Sequence, residues 1–333
     1  MKFTVERAQF LPAVQAVLNV VSSKATLPII SNILIQLEGK QLSLYATDLD
    51  TSIRTKLPIS EGEKGAIALP AKKLSEIVRE LPEGQIEIQV DDKKATIRYE
   101  NGHFNLMGMD SEDFPPFPEP ISGQSFTVNQ SLLAEMIHKT LYSTSKDETR
   151  PALQGVLWHV DEKEMLMVAT DGHRLARVTL SKGGPAGFTK DIIIPSKTLN
   201  QLLRLFGEEE VDVEVSVTEN QMIFSIADTT LYSRLIEGPY PDYTQVIPAD
   251  SDKKLTVDRE ILHTAIRRVS TLSNALTHQV KFDLSKKRVL LSASDRDVGG
   301  EAQVELKADY SGDDLQIGYN AHPNSSRTSR CPR

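Results

Sequence analysis

The chain has 333 residues, 39% hydrophobic and 25% charged, which is enough for two or three folded domains. Its formal net charge of -8 excludes a uniformly cationic nucleic-acid binder, although a net value hides local patches. The single cysteine, Cys331, excludes an internal disulfide framework and a cysteine-cluster metal site; the opening M-K-F-T-V-E-R has no apolar leader, and no run is long enough to span a bilayer, so a cytoplasmic location is expected.

Taken in order, the chain repeats itself. Phe3-Thr4-Val5 returns as Phe126-Thr127-Val128 and as Leu255-Thr256-Val257. Ala46-Thr47-Asp48 returns as Ala169-Thr170-Asp171 and Ala293-Ser294-Asp295, each after a short apolar run. Asp48, Asp171 and Asp295 stand 123 and 124 residues apart. Ala68-Leu69-Pro70 matches Ile193-Ile194-Pro195, with Ile317 to Asn320 in the third slot, and Asp113-Phe114-Pro115 pairs with Pro241-Asp242-Tyr243. Several matches in one order at one step mean a triplicated domain of about 125 residues.

Each copy reads as strand, helix, strands, helix, strands. Asn129 and Asp258 are N-caps for the first helix of copies two and three. Leu132, Leu133, Met136 and Ile137, and then Ile261, Leu262, Ala265 and Ile266, mark its buried face. The second helix carries Leu74, Ile77, Val78 and Leu81 in copy one and Leu199, Leu202, Leu203 and Phe206 in copy two, the stripe of a helix lying on a sheet. Alternation at 86–90 and 211–217 predicts strands. The proline-rich joins at 114–120 and 239–248 read as extended linkers. The expected fold is α+β: three tandem clamp-type domains, two helices packed on antiparallel sheets in each complete copy, at 1–120, 124–248 and 253–320. The third copy is expected to be incomplete, without its second helix and closing strands. Residues 321–333 read as a tail unlike the repeat, as a shifted reading frame would produce.

At 168–175 the stretch V-A-T-D-G-H-R-L turns on Asp171-Gly172. Asp171 with His173 could form an acid/base pair, and Asp48 with Asp50 could hold a divalent ion. The Asp recurs in all three copies and the His does not, so the Asp reads as a turn residue, and two carboxylates do not make a metal site. Phosphate-loop, nucleophile-elbow and Cys-His signatures are missing, so no catalytic residue, metal or cofactor is expected.

The opening M-K-F-T-V-E-R, T-L-P-I-I-S-N at 26–32, V-A-T-D-G-H-R-L at 168–175 and P-Y-P-D-Y at 239–243 resemble the bacterial DNA polymerase III beta subunits, the sliding clamps. The resemblance runs in order over residues 1 to 320. It implies a head-to-tail homodimer, a ring of six domains that encircles double-stranded DNA without sequence preference. It also implies partners, namely the replicative polymerase, the clamp loader and repair proteins, that bind through short linear peptides, and no membrane role. Candidate DNA-facing residues are Lys24, Lys72, Lys73, Lys146, Lys197, Arg204 and Arg267, in a basic set that also includes Arg79, Lys139 and Arg268. By composition alone these are ordinary solvated helix faces. The implied peptide pocket comprises Arg150, Leu153, Thr170, Gly172, His173, Arg174, Leu175, Pro241 and Val246, with apolar residues for a Leu or Phe anchor and Arg174 for a polar end. The implied subunit seam pairs Phe104 with Leu272. The alternative function is a repeat scaffold that binds proteins without encircling DNA.

Overall fold

The computed structural model describes residues 1–22, 27–118, 124–181, 184, 187–248 and 252–321. In the first repeat β1 (Lys2–Glu6) leads into α1 (Arg7–Leu18). There follow β2 (Asn32–Glu38), β3 (Gln41–Thr47), β4 (Thr51–Pro58), the short β5 (Gly62–Glu63) and β6 (Gly65–Pro70). Helix α2 (Ala71–Glu80), β7 (Gln85–Asp91), β8 (Lys94–Tyr99) and β9 (Gly102–Met107) complete it. The second repeat runs β10 (Gln124–Asn129), α3 (Gln130–Thr140), β11 (Gly155–Val160), β12 (Met165–Thr170), β13 (Leu175–Leu180) and β14 (Lys190–Pro195). It closes with α4 (Ser196–Leu205), β15 (Asp212–Val217), β16 (Gln221–Ile226) and β17 (Thr229–Arg234). The third runs β18 (Lys254–Thr256), α5 (Arg259–Ser270), β19 (Gln279–Ser285), β20 (Arg288–Asp295), β21 (Gly300–Lys307), β22 (Asp309–Ser311) and β23 (Leu315–Asn320). Among the described residues α5 is its one α-helix.

The local chemistry follows the sequence. Asn129 Oδ1 accepts from the backbone N–H of Ser131 and Leu132, and Asp258 Oδ1 from that of Ile261, satisfying otherwise orphaned helix N-termini. Leu74, Val78, Leu199 and Leu202 are fully buried along α2 and α4. The repeated sheet strands pair alike: β2 with β6, β11 with β14 and β19 with β23, as the 68–70, 193–195 and 317–320 matches require.

Two details depart from expectation. Ile261 is 55% exposed although it falls on the apolar stripe of α5. The second join is not extended throughout, since Tyr243–Val246 forms a 3-10 turn capped by Asp242. A further 3-10 turn, Ser111–Asp113, capped by Asp110, stands just ahead of the first join.

Contacts divide the chain into two compact units, Met1–Pro241 and one beginning at Asp242, rather than three. The reason is one sheet. Strands β2, β3, β4 and β6 of the first repeat join β10, β15, β16 and β17 of the second in an eight-stranded sheet of order β10-β15-β16-β17-β4-β3-β2-β6. A hydrophobic core runs through both repeats, from Phe10, Ile35 and Leu44 to Trp158 and Phe224. The second unit has its own core around Val269, Val280, Val289 and Leu291 beneath the sheet β21-β20-β19-β23.

Candidate functional site

The repeat boundary inside the first unit shows how two copies join. Strand β17 pairs antiparallel with β4, placing Leu231 opposite Ile53, Tyr232 opposite Ser52 and Ser233 opposite Thr51. Ile53 and Leu231 are fully buried there. Above them a buried hydroxyl chain links Thr51 to Thr198 at 3.5 Å and Thr198 to Ser233 at 2.7 Å. At its end Lys197 of α4 donates to Asp48 of the first repeat, whose side chain is 5% exposed. From the linker, Phe117 packs edge-on against Tyr45 at 4.9 Å and Tyr232 at 4.8 Å, with the Arg54 guanidinium 5.5 Å from its ring centre. Neither Lys197 nor Phe117 was legible as a joint residue, because each acts on a partner more than 70 residues away.

Each sheet among the described residues ends in two edge strands, and these include β9, β13 and, in the second unit, β21. Register identifies two of them with the strands of the internal joint. Phe104 on β9 sits opposite Ile97 as Leu231 on β17 sits opposite Phe224. Ala302 on β21 faces Ala293 as Ile53 on β4 faces Ala46, the same residue of the repeated triplet. Phe104 is 38% exposed and stacks on Tyr99 at 6.0 Å. Leu272 packs at the head of β21, where a Cβ on Gly300 would lie 3.0 Å from Leu272 Cδ2.

Most of the sequence-predicted pocket gathers around the β12–β13 turn. Gly172 takes φ +90°, with Thr170 Oγ1 accepting from its N–H at 3.1 Å. Asp171 Oδ1 accepts from the backbone N–H of both His173 and Arg174 at 3.0 Å, and Oδ2 from Arg174 Nε at 2.8 Å. Burial opposes its ionisation, but these donors hold the Asp171 carboxyl below the ordinary range. The Asp171 side chain therefore serves its own turn, and no bond joins it to the exposed His173 ring. Arg150 reaches the same turn, its Nη1 3.3 Å from where a Gly172 Cβ would stand, while its Nε is held by Asp147 at 2.9 Å. Leu153 is buried and Leu175 half-buried. Tyr240, beside Pro241, accepts from the Thr170 N–H at 3.1 Å. Burial pushes the Tyr240 phenol up to about 12, so it stays neutral. Sequence reasoning missed Tyr240, an aromatic before a proline whose use depends on folding back 70 residues. Val246 lies in the second unit, 68% exposed on the Tyr243–Val246 turn.

The basic candidates divide by partner. Lys73 is held by Glu76 at 2.7 Å, Lys139 by Glu135 and Lys197 by Asp48. Lys72, Lys146, Arg204 and, in the second unit, Arg267 are exposed and have no carboxylate within 4.0 Å among the described residues. Lys24 lies outside the described residues. Among the described residues no group of three or more His, Cys, Asp or Glu side chains is placed to hold a metal, and no helix is long and apolar enough to cross a membrane.

A threefold α+β repeat welded by a shared sheet, with its polar residues spent on turns and joints, defines a tandem-repeat protein that works through surfaces. Comparison with known proteins makes this specific. The N-terminal, central and C-terminal domain models of the DNA polymerase III beta subunit match residues 1–118, 127–242 and 244–322. The beta sliding clamps of Pseudomonas aeruginosa and Bacillus subtilis are each 33% identical, covering 96% of this chain and 88% of those proteins. The crystal structure of a sliding clamp from Bartonella birtlesii bound to griselimycin matches with a TM-score of 0.93 at 34% identity, over 100% of this chain and 91% of that one. The Bacillus subtilis sliding clamp structure matches with a TM-score of 0.93 at 30% identity, over 100% and 90%. The chain belongs to the DNA polymerase III beta subunit family: it is a beta-type DNA sliding clamp of three tandem clamp domains, a non-enzymatic processivity factor for the replicative polymerase.

Proposed function

We propose that two copies of this chain close head to tail around duplex DNA, and that the seam repeats the internal β4–β17 joint. The observation that carries this is the register equivalence of β9 with β17 and of β21 with β4. By that equivalence Phe104 of one copy lies opposite Ala302 of its partner, Asn105 opposite Glu301 and His103 opposite Gln303. A large ring facing a small methyl fills the space that Ile53 and Leu231 share inside the chain. The exposure of Phe104 is then the exposure of half a core, and Leu272 closes the space beside Gly300. Lys72 stands on α2 where Lys197 stands on α4, so it faces Asp295 of the partner as Lys197 faces Asp48.

The ring needs only weak attraction to phosphates, because topology rather than affinity retains it. Lys24, Lys72, Lys73, Lys146, Lys197, Arg204 and Arg267 are the proposed contributors, with Lys73 and Lys197 the weaker ones because carboxylates already hold them, and Lys72 weaker too once the ring closes on Asp295 of the partner. The turn holding Thr170, Gly172, His173, Arg174 and Leu175, with Arg150, Leu153 and Pro241, is the proposed seat for short peptides of the polymerase, the clamp loader and repair proteins, and Val246 of the second unit is proposed separately as a contact for the same peptides. The proposed domains are 1–120, 124–248 and 253–320.

Crosslinking tests the seam. Asn105→Cys and Glu301→Cys are combined in a Cys331→Ser background. Opposite residues of an antiparallel pair lie about 4.5–5.5 Å apart at Cα, within disulfide reach. Oxidation on nicked circular duplex should yield a covalent dimer that stays on the circle in denaturant and leaves when the circle is cut. Crosslinks formed equally by a pair shifted by one residue would refute the register. Covalent dimers never retained on circles would refute encirclement.

A further inference from the structure

The third repeat opens on nearly the same residues as the first. Lys254-Leu255-Thr256-Val257-Asp258 stands where Lys2-Phe3-Thr4-Val5-Glu6 stands, each just ahead of its repeat's first helix. The neighbours of the strand differ. Strand β1 pairs with β5 on one side and with β7 on the other, and β10 pairs with β15 as β1 pairs with β7. Strand β18 pairs with β22, the counterpart of β5, and its second edge has no neighbour among the described residues. It is three residues long, against five for β1 and six for β10. The side chains show the same gap. Phe3, Val5, Phe126 and Val128 are buried, whereas Leu255 and Val257 are half-buried. On the helix that follows, Phe10 and Leu133 are fully buried and their counterpart Leu262 is only half-buried.

The two complete copies also show what fits such an edge. Their strands there read Gln85-Ile86-Glu87-Ile88-Gln89-Val90 and Asp212-Val213-Glu214-Val215-Ser216-Val217, with apolar residues at alternate positions around one glutamate. Both run in one register. Ile88 lies opposite Phe3, Glu87 opposite Thr4 and Ile86 opposite Val5, as Val215 lies opposite Phe126, Glu214 opposite Thr127 and Val213 opposite Val128. Period two sends the apolar pair inward, where all four are buried, and the glutamate outward, where Glu87 meets Lys2 at 2.8 Å. Ser125 takes the place of Lys2 in the second copy, but Lys254 restores the cation in the third. Lys254 is exposed, with no carboxylate within 4.0 Å among the described residues. The sequence after Ala321, H-P-N-S-S-R-T-S-R-C-P-R, has no such alternation. We propose that the free edge of β18 accepts, by antiparallel strand addition, an extended segment of another polypeptide with two apolar residues around a central glutamate. Backbone hydrogen bonds to the open edge hold the segment, Leu255, Val257 and Leu262 take its apolar side chains, and Lys254 takes the glutamate. This docking edge is separate from β21, which lies in the other sheet of the unit.

The probe is a labelled peptide of residues 85–91, Q-I-E-I-Q-V-D, titrated against the full chain, with anisotropy reporting binding and hydrogen exchange reporting its place. It should bind one per chain and slow exchange of the backbone amides from Lys254 to Val257. Glu87→Lys in the peptide turns an attraction into a repulsion at a solvent-facing pair and should weaken binding about threefold to tenfold. Lys254→Glu in the chain should weaken the parent peptide to the same degree and restore the Glu87→Lys peptide. Ile86→Asn with Ile88→Asn in the peptide should abolish binding, because nothing apolar then covers Leu255 and Val257. No binding at a peptide concentration of about 1 mM overturns the proposal. Protection that falls on β13 or β21 instead of β18 does so too, and affinity that ignores both charge changes overturns recognition through Lys254. A Lys254→Ala chain that self-associates more strongly, while the peptide binds undiminished, makes Lys254 a guard against edge pairing and a second copy the occupant, which also overturns it.

Discussion

Removal of the Lys197 side chain is expected to weaken the joint between the first two repeats and to leave DNA attraction almost unchanged. The ammonium is 60% exposed, but the Asp48 side chain it meets is 5% exposed and already accepts the Thr51 N–H at 2.8 Å on its other oxygen. An exposed pair contributes about 0.2–1 kcal/mol after solvent screening. A charge-assisted bond to a largely buried acceptor contributes about 1.5–3 kcal/mol. With one partner in water and the other not, a coupling of about 1 kcal/mol is expected between Lys197→Ala and Asp48→Asn. Asn keeps the turn bonds, so the cycle isolates the ion pair. Urea unfolding followed by Trp158 fluorescence reports on this unit, since the chain's one tryptophan is fully buried there and packs on Phe126 at 5.6 Å. A coupling below about 0.3 kcal/mol would refute the joint role. So would a fall of about one in the salt slope of duplex binding in Lys197→Ala, because it would put the charge on a phosphate.

Gly172→Ala should destabilise the first unit by about 0.5–1.5 kcal/mol, since φ +90° strains any side chain while a stiffer unfolded chain returns part of the cost. Calorimetry checks this; Leu49, tolerated at φ +80° in the equivalent turn, shows that the fold survives. Phe117→Ala should cost about 2–4 kcal/mol by removing the ring shared by Tyr45, Tyr232 and Arg54, and a smaller loss in urea unfolding would mean that the linker does not clasp the joint. Burial works against a charged His159, but Asp191 at 2.6 Å and Asp161 at 3.4 Å outweigh it and raise its pKa above the usual value. Its contribution is therefore full below the unfolded pKa near 6.5 and is lost as pH rises through the folded one. His159→Gln should flatten that fall in stability across neutral pH, and an unchanged pH profile would exclude the pair.

Much of the architecture could be read without coordinates. Hydrophobic periodicity and N-caps are local, so Asn129, Asp258 and the stripes of α2 and α4 stood where their spacing placed them. The repeat was legible because three copies obey one set of local rules. The apolar pattern of α5 placed Ile261 on the buried face, yet it is 55% exposed, because burial depends on what packs against a face as well as on its period. Charge on a helix likewise did not say which cations were free. Lys197 and Arg204 looked alike in sequence, and only folding brought Asp48 to one of them.

By itself, then, the amino-acid order determined the triplication, the alternation of helix and strand and the Asp-Gly turn, all governed by residues within a few positions of one another. Tertiary structure alone decided that two repeats fuse through β4 and β17, and that Phe117 and Tyr240 fold back onto sheets and turns far away in sequence. The reason is physical. Strand pairing, ring packing and ion pairing depend on distance in space, and distance in space between residues 50 to 180 positions apart is set only when the sheets close.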